Sequence, residues 1–355
     1  MKYINFKKLK IKVCFLISFT LLLLMLNKKR KEKKKIGVIS VRHEINIGNN
    51  LLKFAIFIKL KELGYIPYII ATHWNNLNIS FINRTTNLII IKKNFSEIKK
   101  NDYDYLMVNS DQTWRKFDEH FYDYAFLKFA KYWKKPKFIY GASLGFDKWK
   151  LNREDERIAK NLLKDFKSIS VREQGSVDLI KKHLKINPFV VLDPTLLINK
   201  KYYINIIKNY KKNVLLNNKY IFVYTIFYEE NLIKFIKYVK KKLNYNIYNF
   251  SLNNQSSVEN FLYQIYNSQA VITNSYHGTI FSILFNKPFI SFNYKCSAKE
   301  RLSSLGKLFR LENRIINTNE LPNYTLLTTP LNINYTLLEL LKRKSINYIK
   351  NNLKL

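Results

Sequence analysis

The chain has almost no cysteine: Cys14 and Cys296 are the only two in 355 residues. That excludes a disulfide framework and a cysteine-based metal site, and it suits a reducing cytoplasm. Histidine is nearly as sparse. His43, His73, His120, His183 and His277 are scattered, with no paired spacing that would set two of them on one helix face around a metal, so no metal is expected. No Gly-x-Ser-x-Gly occurs, which removes the serine-hydrolase elbow. No Gly-x-Gly-x-x-Gly occurs either, which leaves Gly48 as a weak phosphate-loop signal. Repeats of fixed period are absent, and there is no low-complexity segment beyond a Lys/Asn bias. The N-terminal apolar run, Val13 to Leu26, stops at 14 residues, short of the roughly 20 that span a bilayer.

Acidic residues are few as well, 25 against 62 Lys and Arg, for a net charge of +37. Such a balance suits an anionic membrane or nucleic acid. The lysines, however, spread along the whole chain without an aromatic-interleaved basic cluster. Only 11 of the 62 basic residues are Arg, and Lys travels with Asn, Ile, Tyr and Phe, a bias that compositional drift explains; no specific nucleic acid is expected. What is abundant is apolar: 47% hydrophobic residues with 15% aromatics rule out a disordered chain. The length favours two domains.

Residues 1–35 stand apart. The apolar run is followed by the basic block Asn27 to Lys35, which resists export, and no small-residue cleavage site follows. Three readings stay open: a marginal membrane anchor with the remainder inside the cell, an interfacial helix held by the basic block, or a true start at Met25. A membrane surface is therefore a candidate partner.

From Ile36 the pattern alternates. Ile36–Val41 reads as a buried strand, Arg42–Asn49 as a polar turn, Asn50–Leu63 as an amphipathic helix ended by Gly64, and Ile66–Ile70 as the next strand. Further strands are expected at 88–92, 104–108, 137–141, 168–171 and 189–192, with helices between them. After a polar Lys200–Lys219 stretch a second alternation begins: strand 220–226, helix 230–242, strand 245–250 and helix 257–268. The resulting expectation is an α/β protein of two Rossmann-like domains, 36–200 and 201–333, facing across a cleft (GT-B type), with a terminal helix in 334–355. The turns at the carboxyl ends of the strands would line the ligand site.

The second alternation leads into Ala270 to Ile290, which reads as strand, polar turn, helix and strand. His277 falls at the helix start, where free N–H groups and the dipole favour an anion, beside Gly278, which would let a ligand approach the backbone. A helix-capping His is the plain alternative. Arg172 ends the strand 168–171 and could clamp a carboxylate or phosphate bidentately; its plain alternative is an ion pair with Glu173 or Asp178. Asp111 could equally be an ordinary N-cap.

Asn274-Ser275-Tyr276-His277-Gly278-Thr279 resembles the (D/N)-S-(F/Y)-H-G-T segment of the polysaccharide pyruvyl transferases. Tyr103 to Trp114, with Asn109-Ser110-Asp111-Gln112, is similar to that family's YD…GSDQ-W segment. Ser170 to Ser176 resembles its S-x-R-(D/E)-x-x-S and Val191 to Thr195 its V-x-D-P-T, while Asn46-Ile47-Gly48-Asn49 keeps most of an Asn-Tyr-Gly-Asn. The ordered likeness runs from about residue 36 to 317. It implies transfer of pyruvate from phosphoenolpyruvate to two hydroxyls of a glycan as a ketal, with no further cofactor. It also implies His277 as general acid or phosphate ligand and Arg172 as the donor clamp. Asn46, Gly48, Asn49, Ser110, Asp111, Gln112, Asn274, Ser275, Gly278 and Thr279 would then contact substrate. Some members carry an Arg two positions before the His. This chain has Ser275 there, and Lys295 or Arg301 would have to supply the missing cation. Two rival readings remain: a glycosyltransferase of the same fold using a nucleotide sugar, and a non-enzymatic basic membrane- or nucleic-acid-binding protein.

Overall fold

The first buried run forms β1 (Lys35–Ile39) in a computed structural model of the chain. The structure describes residues 33–40, 46–72, 81, 89–92, 94–109, 111–210, 219–227, 230–251, 257–293, 299–317 and 321–354. The N-terminal apolar run, most of the basic block, Ser110, Lys295 and both cysteines lie outside the described residues. Among the described residues no helix is long and apolar enough to cross a membrane.

β1 pairs in parallel with β2 (Ile66–Thr72) and with β4 (Tyr105–Val108). With β3 (Ile89–Lys92), β5 (Lys137–Ala142), β6 (Ser168–Val171) and β7 (Phe189–Val190) they make a seven-stranded parallel sheet, ordered β3-β2-β1-β4-β5-β6-β7. Its central strands are apolar on both faces because helices cover both sides of a parallel sheet. Those helices are α1 (Ile47–Glu62), α2 (Phe121–Phe126), α3 (Arg153–Leu163) and α4 (Gln174–Leu184), with α5 (Lys201–Asn209) following.

The second sheet is again parallel: β8 (Tyr220–Tyr224), β9 (Asn246–Phe250), β10 (Ala270–Thr273), β11 (Phe289–Phe292) and β12 (Ile315–Ile316), in the order β12-β11-β10-β8-β9. Helices α6 (Glu230–Leu243), α7 (Val258–Asn267), α8 (Tyr276–Leu284) and α9 (Lys299–Phe309) belong to this half, and α10 (Tyr335–Asn352) closes the chain. That last helix returns to the first sheet. Tyr348 donates to the carbonyl of Ile139 at 2.8 Å, and Ser345 Oγ accepts from Leu192 N at 2.9 Å.

Residues 35–355 form one compact unit, and the core shows why. Phe54 of α1 meets Tyr203 of α5 at 6.0 Å between rings, and Tyr203 meets Phe281 of α8 at 5.0 Å. One continuous apolar cluster therefore joins helices of both sheets. Strand order reverses beside β1/β4 in the first sheet and beside β8/β10 in the second, and these are the places where open α/β sheets leave a crevice at their carboxyl ends.

Three boundaries differ from the sequence expectation, each for a local reason. α1 begins at Ile47, because Asn46 Oδ1 accepts from Asn49 N at 3.0 Å and caps it. α8 begins at Tyr276, because Ser275 is its N-cap and accepts from Gly278 N at 3.3 Å. Lys200–Lys219, read as a polar connection, contains α5, whose Tyr203 and Ile207 are buried.

Candidate active site

Strand ends and helix starts converge at one buried point. β10 ends at Thr273, Ser275 caps α8, and the first turn of that helix holds Tyr276 and His277. The cap is thus the Ser275 hydroxyl, and the capping alternative for His277 is set aside. Gly278 packs closely on its own strand: a Cβ there would stand 2.4 Å from Thr273 Oγ1. Thr279 is also internal, donating to Ser275 O and Ser291 Oγ at 3.1 and 2.9 Å. Asn274 uses both ends of its amide to hold the turn after β8, with Ile226 N donating to its Oδ1 at 2.7 Å and its Nδ2 donating to Phe227 O at 2.6 Å. These side chains build the platform on which His277 sits.

His277 itself is 4% exposed, and its Nε2 has no hydrogen-bond partner. Two neighbours fix the ring. Gly48, in the first turn of α1, lies so close that an added Cβ would fall 2.0 Å from Nδ1 and 2.4 Å from Cγ. Asp193 Oδ2 stands 3.7 Å from Nε2. The N-termini of α1 and α8 therefore approach each other around one imidazole, and both bring positive dipole ends.

Asp193 is held from several sides. Thr195 N and Thr195 Oγ1 donate to its Oδ1 at 2.9 and 2.6 Å, and Arg172 Nη1 reaches its Oδ2 at 2.6 Å. Arg172 Nη2 pairs with Asp111 Oδ1, and Arg301 Nη2 reaches the same oxygen at 2.8 Å. Glu173 Oε1 lies 3.6 Å from Arg172 Nη2 and 3.7 Å from Arg301 Nε. The Tyr276 ring sits against both guanidiniums, 5.1 Å from that of Arg172 and 4.7 Å from that of Arg301, a cation–π arrangement.

The cluster thus holds two guanidiniums, three carboxylates and the imidazole, and two carboxylates respond in opposite ways to the third. Burial alone would raise the Asp111 carboxyl, but Arg301, Arg172 and His277 outweigh it and hold the group well below the ordinary range. At Asp193 burial is again outweighed, here by His277, Arg172 and Thr195. At Glu173 burial prevails over Arg172 and Arg301, and Asp111 adds to it, so this carboxyl is pushed up. Neighbouring acids driven apart in this way are characteristic of functional sites.

The residues singled out in the sequence are distributed unequally. His277, Arg172, Asp111, Arg301 and Gly48 come together, and Arg301 from α9 brings a second guanidinium into the cluster through Asp111. Arg172 is wholly buried, and its partners are Asp111, Asp193 and Glu173; Asp178 is not among them. Asp111 bridges two arginines where an N-cap was the alternative. Gln112 lies at a left-handed φ of 47° and accepts from Arg115 at 2.9 Å, and Asn49 is buried in the first turn of α1. Ser110 and Lys295 fall outside the described residues. Sequence reasoning named Glu173 only as the alternative ion-pair partner of Arg172, and it passed over Asp193 and Tyr276. Each lies inside a segment already quoted for its family likeness, so the signal was present, but nothing in one dimension said that the three segments meet.

The fold has solved relatives. A UDP-GlcNAc 2-epimerase from Neisseria meningitidis bound to UDP-GlcNAc superposes with a TM-score of 0.57 at 13% identity, covering 90% of this chain and 99% of that one. The UDP-GlcNAc 2-epimerase from Methanocaldococcus jannaschii gives 0.55 at 14%, covering 89% and 98%. The S. aureus MnaA–UDP structure gives 0.52 at 13%, covering 91% and 97%. At these identities the likeness is one of fold: α/β, with two Rossmann-like parallel sheets in the GT-B arrangement. No protein of curated function matches the chain. The sequence model described as polysaccharide pyruvyl transferase matches residues 46–295, a span that contains His277, Gly48, Arg172, Asp111, Glu173 and Asp193, and the chain therefore belongs to the polysaccharide pyruvyl transferase family, a family of transferases.

Proposed function

We infer that the protein transfers pyruvate from phosphoenolpyruvate to two hydroxyls of a sugar in a cell-surface or extracellular glycan, forming a ketal and releasing phosphate. The observation that carries this reading is His277 Nε2, a buried ring nitrogen without a hydrogen-bond partner, set between two helix N-termini and beside a carboxylate. In the reaction C3 of the enol gains a proton and becomes a methyl group. C2 gains two C–O bonds to the sugar oxygens and loses its bond to the phosphate oxygen. One hydroxyl proton ends on C3 and the other on the departing phosphate.

An imidazole in this position suits the proton transfers, since it both gives and takes protons near neutral pH. The dipole ends of α1 and α8 suit the charge on the phosphate as it leaves. Arg172 is assigned the role of fixing Asp111, Asp193 and Tyr276 around the donor, with Arg301 closing the set from the other sheet.

Incubation with phosphoenolpyruvate and candidate glycans, followed by measurement of released phosphate, tests the reading. Turnover is expected with phosphoenolpyruvate and not with UDP-sugars. His277→Ala is expected to lower the rate by about two to four powers of ten in a protein that still folds. Near wild-type pyruvyl transfer by that variant would overturn the assignment.

A further inference from the structure

The residue before α9 is Ala298, which has no side-chain acceptor to cap the helix, although the first N–H groups of any helix need partners. The acceptor comes from the other half of the chain. Asp147, in the turn after β5, takes Lys299 N on Oδ2 at 2.8 Å and Glu300 N on Oδ1 at 2.9 Å. A carboxylate set across two successive N–H groups also meets the positive end of the helix dipole.

Both sides of this joint are fixed. Gly145, two residues before Asp147, has a left-handed φ of 71° and lies against Gln112, whose Oε1 would stand 2.7 Å from a Cβ there. Arg115 donates to that same Oε1 at 2.9 Å, and its guanidinium lies 4.6 Å from the Phe146 ring centroid. The turn that carries Asp147 is therefore anchored on the segment after β4. Three successive residues of α9 then touch the first half. Lys299 and Glu300 give their N–H groups to Asp147. The Glu300 side chain lies over Gly175 in the first turn of α4, where a Cβ would fall 2.5 Å from its Cγ, and Ser304 Oγ donates to its Oε1 at 2.6 Å. Arg301 reaches Asp111 at 2.8 Å. Since Asp111 and Gln112 are neighbours, these contacts form a ring that leaves the segment 111–115 and returns to it. Arg301 also lines, with Arg172, Asp193 and Tyr276, a cavity of about 150 Å³, so its seat sets one wall of that cavity.

We propose that Asp147 is a positioning residue, which caps α9 from the opposite half of the chain and so seats Arg301 on Asp111 and Glu173. Without the cap the first turn of α9 frays, and the guanidinium leaves the cavity wall more often. This rests on the pyruvyl-transfer reading only in taking the cluster to receive the anionic donor. The seating of Arg301 does not depend on it.

The probe is the Arg301 Nε–H, a buried donor without a hydrogen-bond partner. In protein carrying isotopically labelled arginine, its NMR signal is assigned by its loss in Arg301→Lys. Its exchange with solvent then reports how often the guanidinium leaves its seat. Asp147 is exposed, so substitution there leaves the fold intact. Asp147→Ala should speed the exchange about fivefold, the change in equilibrium that loss of an N-cap brings. Asp147→Asn keeps an acceptor and caps about as well, so it should stay within about twofold of wild type. The KM for phosphoenolpyruvate should rise by up to about fivefold in Asp147→Ala with kcat within about twofold, because only the seated state binds the donor well. Unchanged Arg301 exchange in Asp147→Ala overturns the proposal, and so does an Asp147→Asn protein that behaves like Asp147→Ala. Faster exchange with an unchanged KM overturns the part of Asp147 in donor binding. If the exchange responds as expected while wild-type protein releases no phosphate from phosphoenolpyruvate, the donor reading fails and the seating of Arg301 by Asp147 stands.

Discussion

Gly48→Ala isolates the geometry of the site from its chemistry. Gly48 lies in the first turn of α1, where helix propensity favours alanine over glycine by about 1 kcal/mol. The added methyl carbon, however, would fall 2.0 Å from His277 Nδ1, 2.4 Å from Cγ and 2.7 Å from Cε1. The obstacle is an aromatic ring with little freedom, edge-on to Tyr276 at 5.4 Å and facing Asp193 at 3.7 Å. To restore ordinary contact the ring must retreat by about 1 Å or more, and a misplacement of that size costs a reacting group on the order of 10²-fold in rate. Overpacking of this kind costs about 1–3 kcal/mol, partly offset by the helix term, so the net loss of stability is about 0–2 kcal/mol. Urea denaturation and the phosphate-release assay should therefore separate, with a small shift in midpoint and a large fall in rate. Combining Gly48→Ala with His277→Ala removes the clash, and the double variant should be more stable than Gly48→Ala alone. A Gly48→Ala protein with wild-type stability and rate would refute the contact, as would a double variant that recovers no stability.

Arg172→Met should destabilise the fold by about 3–5 kcal/mol in urea denaturation, since it leaves Asp111 and Asp193 buried without their shared guanidinium; a loss below about 1 kcal/mol would contradict the pairing. Ser275→Ala should cost about 1 kcal/mol through the lost cap of α8, read as a shift in midpoint with the slope unchanged. Stability should also depend on pH through the three carboxylates. Asp111 and Asp193 bind protons less readily folded than unfolded, so their contribution is complete above about pH 4 and is lost as pH falls from there. Asp193→Asn should flatten that acid limb. Glu173 has the opposite sign: its raised carboxyl makes stability fall as pH rises above about 4.3, and Glu173→Gln should remove that decline.

Much of the architecture was legible in one dimension because it is local. Apolar runs such as Tyr105–Val108 and Ser168–Val171 are strands buried on both faces, and the helical spacing in 230–242 and 257–268 needs no partner to be recognised. The element ends were read less well. Asn46 and Ser275 each start a helix through a single hydrogen bond to a backbone N–H three residues on, which shortened two turns that had been expected to face the ligand. The family likeness of the quoted segments was also a property of the sequence, and the match over 46–295 shows it.

What no local pattern could decide is which residues meet. Asp111 follows β4, Arg172 follows β6, Asp193 follows β7, His277 opens α8 and Arg301 lies in α9. Separations of up to 190 residues, as between Asp111 and Arg301, are closed only when two sheets fix their strand ends around one crevice. The Arg172 guanidinium read from its position at a strand end as a clamp, with an ion pair to Glu173 or Asp178 as the alternative; in the fold it is buried and encircled by Asp111, Asp193 and Glu173. Gly48 read as a weak phosphate-loop glycine, yet its lack of a side chain is what admits the His277 ring. Charge pairing at close range and the exclusion of one atom by another both depend on distance in space, and distance is fixed by the tertiary fold.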